Sequence, residues 1–261
     1  MPSVNPNAPT SETVLSVKHY TDDLFAFSLT RPSSFRFRSG EFIMLGLQGE
    51  KKPLLRAYSV ASPAWDDKLD FYSIKVPDGP LTSRLQNIAV GDEVLLGRKP
   101  VGTLVLDALL PGKRLFMLST GTGIAPFASL IRDPDIYASF EQVILIHTCR
   151  QVAELAYGFD MVEAAKTDPL VGEAATDKLK HIASVTRENY PLQDRVTTLI
   201  ETGALFDHVD GGSLDAASDR VMICGSKAMT QDLKSIVEAY GFKEGSNSNP
   251  ADFVIEKSFV G

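Results

Sequence analysis

Leu115-Phe116-Met117-Leu118-Ser119-Thr120-Gly121-Thr122-Gly123-Ile124-Ala125-Pro126-Phe127 joins a short apolar run to a Gly-Thr-Gly turn, with a proline where a helix would start. Unbroken apolar runs of this length are how fully buried strands of parallel sheets read. Glycines just after such a strand let the backbone approach a ligand, and the N–H groups opening the next helix face an anion. Proline in a first helical turn gives up only an N–H that has no partner there. The segment predicts a strand, a phosphate-accepting turn and a helix. Its spacing is Gly-x-Gly-x-x-Pro, and no carboxylate clearly follows at the ribose-binding distance, so a glycine turn that touches no ligand stays open as a reading.

Downstream, apolar runs alternate with helical ones. Strands are expected at 115–119, 142–147, 182–185, 220–224 and 253–256, and helices at 125–132, 152–166, 194–202 and 227–240. Such alternation predicts a doubly wound parallel sheet with right-handed crossovers. Ligands of these sheets sit at the C-terminal ends of the strands, where Thr122, residues 147–150, Thr186, Arg187 and residues 224–229 fall. Arginine near a ribose is how a site accepts a 2′-phosphate. Arg150, Arg187 and Arg195 are candidates, with solvated surface arginine as the alternative for each. Cys224 reads equally as a small buried hydrophobe. His147 reads as a hydrogen-bonded structural histidine and is given no catalytic role.

Upstream, from Glu12 to about Asp107, short apolar bursts lie between turn signals. Examples are 14–17, 24–29, 42–47, 57–60, 69–76 and 93–96, with turns at Pro32-Ser33, Ser39-Gly40, Ser62-Pro63, Asp78-Gly79-Pro80 and Gly91-Asp92. This spacing predicts an antiparallel β-barrel, with one helix at Leu81–Ile88 and a loose N-terminus over residues 1–10. Residues 99–103 through 110–113 read as the joint between a domain over 1–110 and a second over 111–261. Two places in the first part look chemical. On a strand Arg56 and Tyr58 share a face; a guanidinium fork suits a pyrophosphate, a phenol ring suits stacking on a flat heterocycle, and the Ser59 hydroxyl suits a ring nitrogen. Gly79-Pro80-Leu81-Thr82-Ser83 offers N–H and hydroxyl donors at a helix start. A strand edge with an ion pair and a capped helix are the respective alternatives.

Composition bounds what the chain does. Its 261 residues fit one large or two medium domains, with 44% hydrophobic and 23% charged residues, as in ordinary soluble globular proteins. No apolar run is long enough to span a membrane, and the N-terminus has no secretory pattern. Cys149 and Cys224 are distant and have no metal-type spacing, which predicts a reduced, cytoplasmic protein without structural zinc. The net charge of −7 is uneven: residues 1–110 carry 12 basic and 12 acidic residues, residues 111–261 carry 14 and 21. An acidic whole argues against nucleic acid, whereas local basic clusters suit steering of an acidic partner.

In this order and at these distances, Arg56-x-Tyr58-Ser59, Gly79-x-x-Thr82-Ser83 and Gly121-Thr122-Gly123-Ile124-Ala125-Pro126-Phe127 resemble the plant-type ferredoxin–NADP reductase family. Residues 75–83 and the ending Glu256-Lys257-Ser258-Phe259-Val260-Gly261 look most like its bacterial ferredoxin/flavodoxin–NADP reductases. The resemblance covers residues 12 to the end. It implies an FAD-binding barrel followed by an NADP-binding domain, and a reaction in which hydride passes from NADPH to FAD and single electrons pass to ferredoxin or flavodoxin. It further implies that Tyr58 stacks on the flavin, Ser59 bonds its N5, and Arg56 holds the pyrophosphate. Ala57, Tyr72, Lys75, Val76, Leu81, Thr82, Ser83 and Thr122 would complete the FAD cradle, and Ser258 and Phe259 would touch FAD. For NADP it implies Thr122, Arg150, Thr186, Arg187, Arg195, Gly225, Ser226 and Met229. Ser59, Cys224 and Glu256 would position the reacting rings. Ser258 stands where plant members carry a terminal tyrosine. An NADH-dependent reductase of the same superfamily and a non-catalytic nucleotide-binding subunit are the rival readings; nothing in the sequence requires more than a monomer.

Overall fold

The computed structural model of the chain describes residues 8–76 and 78–257. Its first sheet holds β1 (Thr10–His19), β2 (Leu24–Thr30), β3 (Phe42–Gln48), β4 (Pro53–Ser59), β5 (Lys68–Ile74) and β6 (Glu93–Leu96), antiparallel, in the order β4-β3-β6-β1-β2-β5. Inward residues gather into one core of Val14, Phe25, Phe27, Leu29, Ile43, Leu45, Leu69, Phe71, Val94 and Leu96. Phe27 stacks on Phe25 at 5.8 Å and on Phe71 at 5.4 Å; burying one such side chain is worth about 1.5–3 kcal/mol. The two edge strands lean together where the Ala61 N–H donates to the Asp70 carbonyl at 2.8 Å. β4 starts at Pro53, a residue an edge strand tolerates because no ladder bond is asked of it.

Three expectations change here. β1 begins at Thr10, which pairs with Leu96, so the chain is ordered earlier than its Pro/Asn/Ser composition suggested; residues 1–7 lie outside the described ones. The helix expected over 81–88 is a single turn, α1 (Thr82–Leu85). Gln86 and Asn87 donate their side-chain amides to the Ser83 carbonyl at 3.0 and 3.1 Å, and the Asp92 carboxylate takes the Ala89 N–H at 2.8 Å. Polar side chains thus compete with the helical ladder and turn the chain. Nor is Thr82 a cap: its hydroxyl donates to the Val76 carbonyl and accepts from the Val76 N–H, both at 3.2 Å.

The second sheet is wholly parallel: β7 (Arg114–Thr120), β8 (Gln142–Cys149), β9 (Leu179–Val185), β10 (Asp219–Gly225) and β11 (Phe253–Lys257), in the order β11-β10-β7-β8-β9. The chain runs outward from β7 to β9, then crosses back to β10, so the order reverses between β7 and β10. One face packs on α2 (Ala125–Leu130), α3 (Pro134–Ser139), α4 (Ala156–Thr167) and α5 (Gly172–Lys178), the other on α6 (Val196–Glu201) and α7 (Lys227–Ala239). α3 and α5 were not expected; six or seven residues give little helical periodicity, although Asp133 caps α3 and Pro134 opens it. Residues 152–155 form a 3₁₀ turn before α4 rather than its first turn. No described helix is long and apolar enough to cross a membrane.

The sheets are joined by buried surface. Leu24, Ala61, Tyr72 and Leu104 of the first half share one apolar cluster with Phe127, Leu130 and Tyr157 of the second. Tyr72 lies flat on Tyr157, with centroids 3.8 Å apart and planes 5° off parallel, and Tyr20 meets both edge-on. The Asp160 carboxylate accepts from the Tyr20 hydroxyl at 2.9 Å and from Lys18 at 2.5 Å. On the far side of this seam Arg132 bridges Asp66 and Asp168.

Candidate functional site

The C-terminal ends of the parallel strands place Ser119, Cys224 and Glu256 in one row, because Cys224 pairs in register with both. Alternation along parallel strands puts this row, with His147, on the face that carries Met117, Leu145 and Met222, which is the side of the antiparallel sheet. The strand tips sit unusually close. A Cβ on Gly123 would lie 2.3 Å from the Cys224 carbonyl oxygen, and one on Gly225 would lie 2.5 Å from the Thr120 hydroxyl. Gly123 is therefore glycine because the tips of β7 and β10 nearly touch, whereas Gly121 has open space at its Cβ position and a φ of +52° that favours glycine.

Cys224 is 2% exposed. His147 is fully buried; its Nε2 stands 3.1 Å from the Gly121 carbonyl. Burial drives its pKa down to about 3, His181 adds to the shift and the Gly121 carbonyl opposes it, so the ring is neutral and holds the turn in place. Glu256 is nine-tenths buried and its Oε2 has no hydrogen-bond partner among the described residues. Burial raises its pKa to about 8; the Thr103 backbone N–H opposes the rise and the Glu41 carboxylate adds to it.

Glu41 also ties the two halves of the site together. Its carbonyl accepts the Val60 N–H at 3.0 Å, just beyond Ser59. Its Cα and Glu256 Oε1 lie 3.2 and 3.3 Å from where a Cβ of Gly102 would be. The end of β4 is thereby carried to the ends of β10 and β11. On β4, all residues from Leu54 to Ser59 are half-buried, so no second layer of protein covers that strand. Arg56 donates to the Leu55 carbonyl at 3.0 Å and forms no ion pair among the described residues. Ala57 pairs with Met44. Tyr58 bonds Ser73 through its hydroxyl at 3.1 Å and meets Phe71 edge-on, and burial raises its pKa. The Ser59 hydroxyl has no protein partner among the described residues. An open strand with an unpaired guanidinium, a half-open ring and an open hydroxyl fits a flat heterocycle carrying a pyrophosphate.

Other expected FAD residues divide. Lys75 and Val76 continue β5 and lead to Thr82 and Ser83, while Leu81 and Thr82 are buried. The Tyr72 ring is taken up by Tyr157, and its buried hydroxyl has no partner. Ser258 and Phe259 lie outside the described residues. Thr122 is half-buried in the turn after β7.

At the opposite edge, the loops after β8 and β9 carry Arg150 and Arg187, and Arg195 precedes α6; all three are exposed. Each has a carboxylate nearby in sequence, which would cancel the charge in a simple count. The carboxylates turn to the backbone instead. Glu154 accepts the N–H groups of Arg150 and Gln151 at 2.7 and 3.2 Å, Glu188 that of Val152 at 2.6 Å, and Asp194 that of Arg195 at 2.7 Å. None of the three arginines forms an ion pair among the described residues, so the rim presents three guanidiniums, a fit for a phosphate. Thr186 holds the Cys149 carbonyl, Gly225 and Met229 pack together, and Ser226 caps α7, accepting from the Met229 N–H at 3.4 Å. The sequence reading missed Glu41, Glu188, Asp194 and Tyr157. It also missed Glu154, for which a sequence signal existed, as the fourth residue of a capping box opened by Gln151.

Comparison with known proteins agrees with this layout. Residues 12–105 match an oxidoreductase FAD-binding domain and residues 117–235 an oxidoreductase NAD-binding domain. The flavodoxin/ferredoxin–NADP reductase of Rhodobacter capsulatus is 56% identical over 254 residues, covering 97% of this chain and 94% of that protein. The ferredoxin–NADP reductase of Azotobacter vinelandii is 48% identical over 250 residues, covering 95% and 97%. Among solved structures, a ferredoxin NADP+ reductase from Neisseria gonorrhoeae with bound FAD and NADP superimposes with a TM-score of 0.87 at 31% identity, covering 97% of this chain and 99% of that one.

Proposed function

The chain belongs to the ferredoxin/flavodoxin–NADP reductases, and from that premise we propose which of its residues carry each part of the reaction. It is an FAD-dependent oxidoreductase. When bound, FAD supplies the chemistry by accepting a hydride from NADPH and passing electrons on singly to ferredoxin or flavodoxin. The chain itself supplies binding and position. Residues 1–110 hold FAD and residues 111–261 hold NADP. Arg56 grips the pyrophosphate with help from Thr82, Ser83 and Thr122; Tyr58 stacks on the ring; Ser59 donates to a ring nitrogen. Arg150, Arg187 and Arg195 hold the 2′-phosphate. Cys224 and Glu256, at the tips of adjacent strands, fix where the nicotinamide lies. No side chain needs to take or give a proton during hydride transfer, and the apolar seam around Tyr72 and Tyr157 keeps water from that side of the cleft.

The observation that carries this reading is the link through Glu41, which brings the uncovered face of β4 to the row Ser119–Cys224–Glu256. Two flat rings are placed to meet there, one from each half. Lys51, Lys52, Arg98 and Lys99 are exposed and form no ion pair among the described residues. They give the net-neutral barrel half two local positive patches, at opposite ends of β3, that would steer an acidic carrier and lose their effect as salt rises.

Steady-state kinetics of the purified yellow protein with an artificial one-electron acceptor test the assignment. kcat/KM is expected to favour NADPH over NADH strongly, and Arg187→Ala to reduce the NADPH value by about 10- to 100-fold, the worth of a charged hydrogen bond or two, with NADH unaffected. Equal efficiency with both cofactors in the unmodified enzyme would remove the 2′-phosphate role from all three arginines.

A further inference from the structure

The loops that carry Arg150 and Arg187 are fastened together at three places in a row. The Thr186 N–H donates to the Cys149 carbonyl at 3.0 Å and the Arg187 N–H to the Arg150 carbonyl at 3.0 Å. The third fastening is the only one made by a side-chain carboxylate: Glu188 accepts the Val152 N–H at 2.6 Å. Behind it the 186–193 loop closes on itself through the Val185 N–H to the Leu192 carbonyl at 3.2 Å, and Tyr190 packs on Cys149, Leu155 and Val185. Arg150 is held from its other side by Glu154. The result is a fixed separation between the two backbone positions, on the loops after β8 and β9, from which Arg150 and Arg187 project.

We propose that Glu188 is a positioning residue for the 2′-phosphate site: by bridging to Val152 it sets the spacing of Arg150 and Arg187, and so contributes to NADPH selectivity without touching the cofactor. This rests on the arginine assignment above. The consequence runs against simple charge reasoning. An acid beside a phosphate site ought to weaken phosphate binding, and its removal ought to help. An acid whose carboxylate is turned to a backbone N–H supports the site, and its removal harms it. A short charged hydrogen bond is among the stronger ones available to a loop, and it adds to a segment otherwise tied by backbone bonds, the Thr186 hydroxyl to the Cys149 carbonyl at 3.4 Å and the packing of Tyr190.

Three variants separate the two accounts, with the FAD-loaded enzyme and 2′-phospho-AMP as the probe in calorimetric titration and plain AMP as its control. Glu188→Gln keeps an acceptor oxygen at full reach and loses the charge. Glu188→Asp keeps the charge and shortens the reach by one methylene. Glu188→Ala loses both. A positioning role predicts that Gln binds 2′-phospho-AMP within about twofold of the unmodified enzyme, while Asp and Ala weaken it by about 10-fold, equivalent to about 1.4 kcal/mol, with AMP unchanged. KM for NADPH should rise in those two variants with kcat held. Tighter binding in Gln and Ala with Asp unchanged would show a mere repulsive charge and overturn the proposal, as would no change in any of them. Arg187→Ala, run alongside, separates the levels: if it weakens 2′-phospho-AMP binding and Glu188→Ala does not, the clamp alone fails; if Arg187→Ala binds normally, the arginine assignment falls and takes the clamp with it.

Discussion

Arginines at the two ends of the parallel sheet behave in opposite ways. At the N-terminal end, Arg114 meets Asp219 with two donors at 2.7 and 2.6 Å and gives its remaining donors to the carbonyls of Asp210, Gly212 and Ser213. Its side chain is 10% exposed and that of Asp219 fully buried. At the C-terminal end, Arg150, Arg187 and Arg195 have acids within four residues in sequence, whereas Asp219 is 105 residues from Arg114, yet each of these nearer acids points at a backbone N–H. The lesson concerns direction rather than composition. A carboxylate in the plane of a guanidinium completes a structural knot, whereas one turned to the main chain braces a loop and leaves the guanidinium for a ligand.

The largest expected effect tests the first half of that contrast. Asp219→Ala strands a buried guanidinium and should cost about 3–5 kcal/mol in urea unfolding, while the ratio of NADPH to NADH efficiencies stays as it was. A loss under about 1 kcal/mol would place Arg114 with the surface arginines. Next, Arg195→Ala should do the reverse: KM for NADPH rises by about 10-fold, or about 1.4 kcal/mol, and stability moves by no more than about 0.5 kcal/mol. A last test, read as a slope per pH unit, sharpens the comparison from the acid's side, at Glu256, a buried carboxyl at the functional end. Its pKa in the folded protein, about 8, lies above the ordinary glutamate value because burial penalises the charge. The folded state therefore keeps a proton that the unfolded chain loses at lower pH. The associated stability is complete below about pH 4.5 and declines as pH rises toward 8, with a slope of no more than about 1.4 kcal/mol per pH unit. Denaturation of Glu256→Gln at several pH values should show that slope removed; an identical profile would mean that Glu256 binds its proton equally in the folded and unfolded chain.

Much of the architecture was legible before any coordinates. Strands β7, β8, β10 and β11 announce themselves as apolar runs because both faces of a parallel sheet are covered, and β2 and β5 because aromatic and β-branched residues dominate them. What stayed hidden depends on partners far away in sequence. Nothing near Tyr72 indicates that Tyr157 will lie on it, and nothing near Glu188 indicates Val152. Helices of six or seven residues, such as α3 and α5, carry too few turns to show a stripe, and α1 is cut short by Gln86 and Asn87, whose side chains look like ordinary helix residues in a one-dimensional reading. At the site, arginine identity and placement were readable; the orientation of the acids beside them, which decides what the arginines are for, was not.

The contact between the tips of β7 and β10 has an evolutionary corollary. With Gly123 against the Cys224 carbonyl, a side chain added there would wedge the ends of β7 and β10 apart, and one at Gly225 would displace the Thr120 hydroxyl and the Met229 side chain. New cofactor preferences in this scaffold must arise at the perimeter, by exchanging loop residues such as those around Arg187, because the middle offers no slack to inherit.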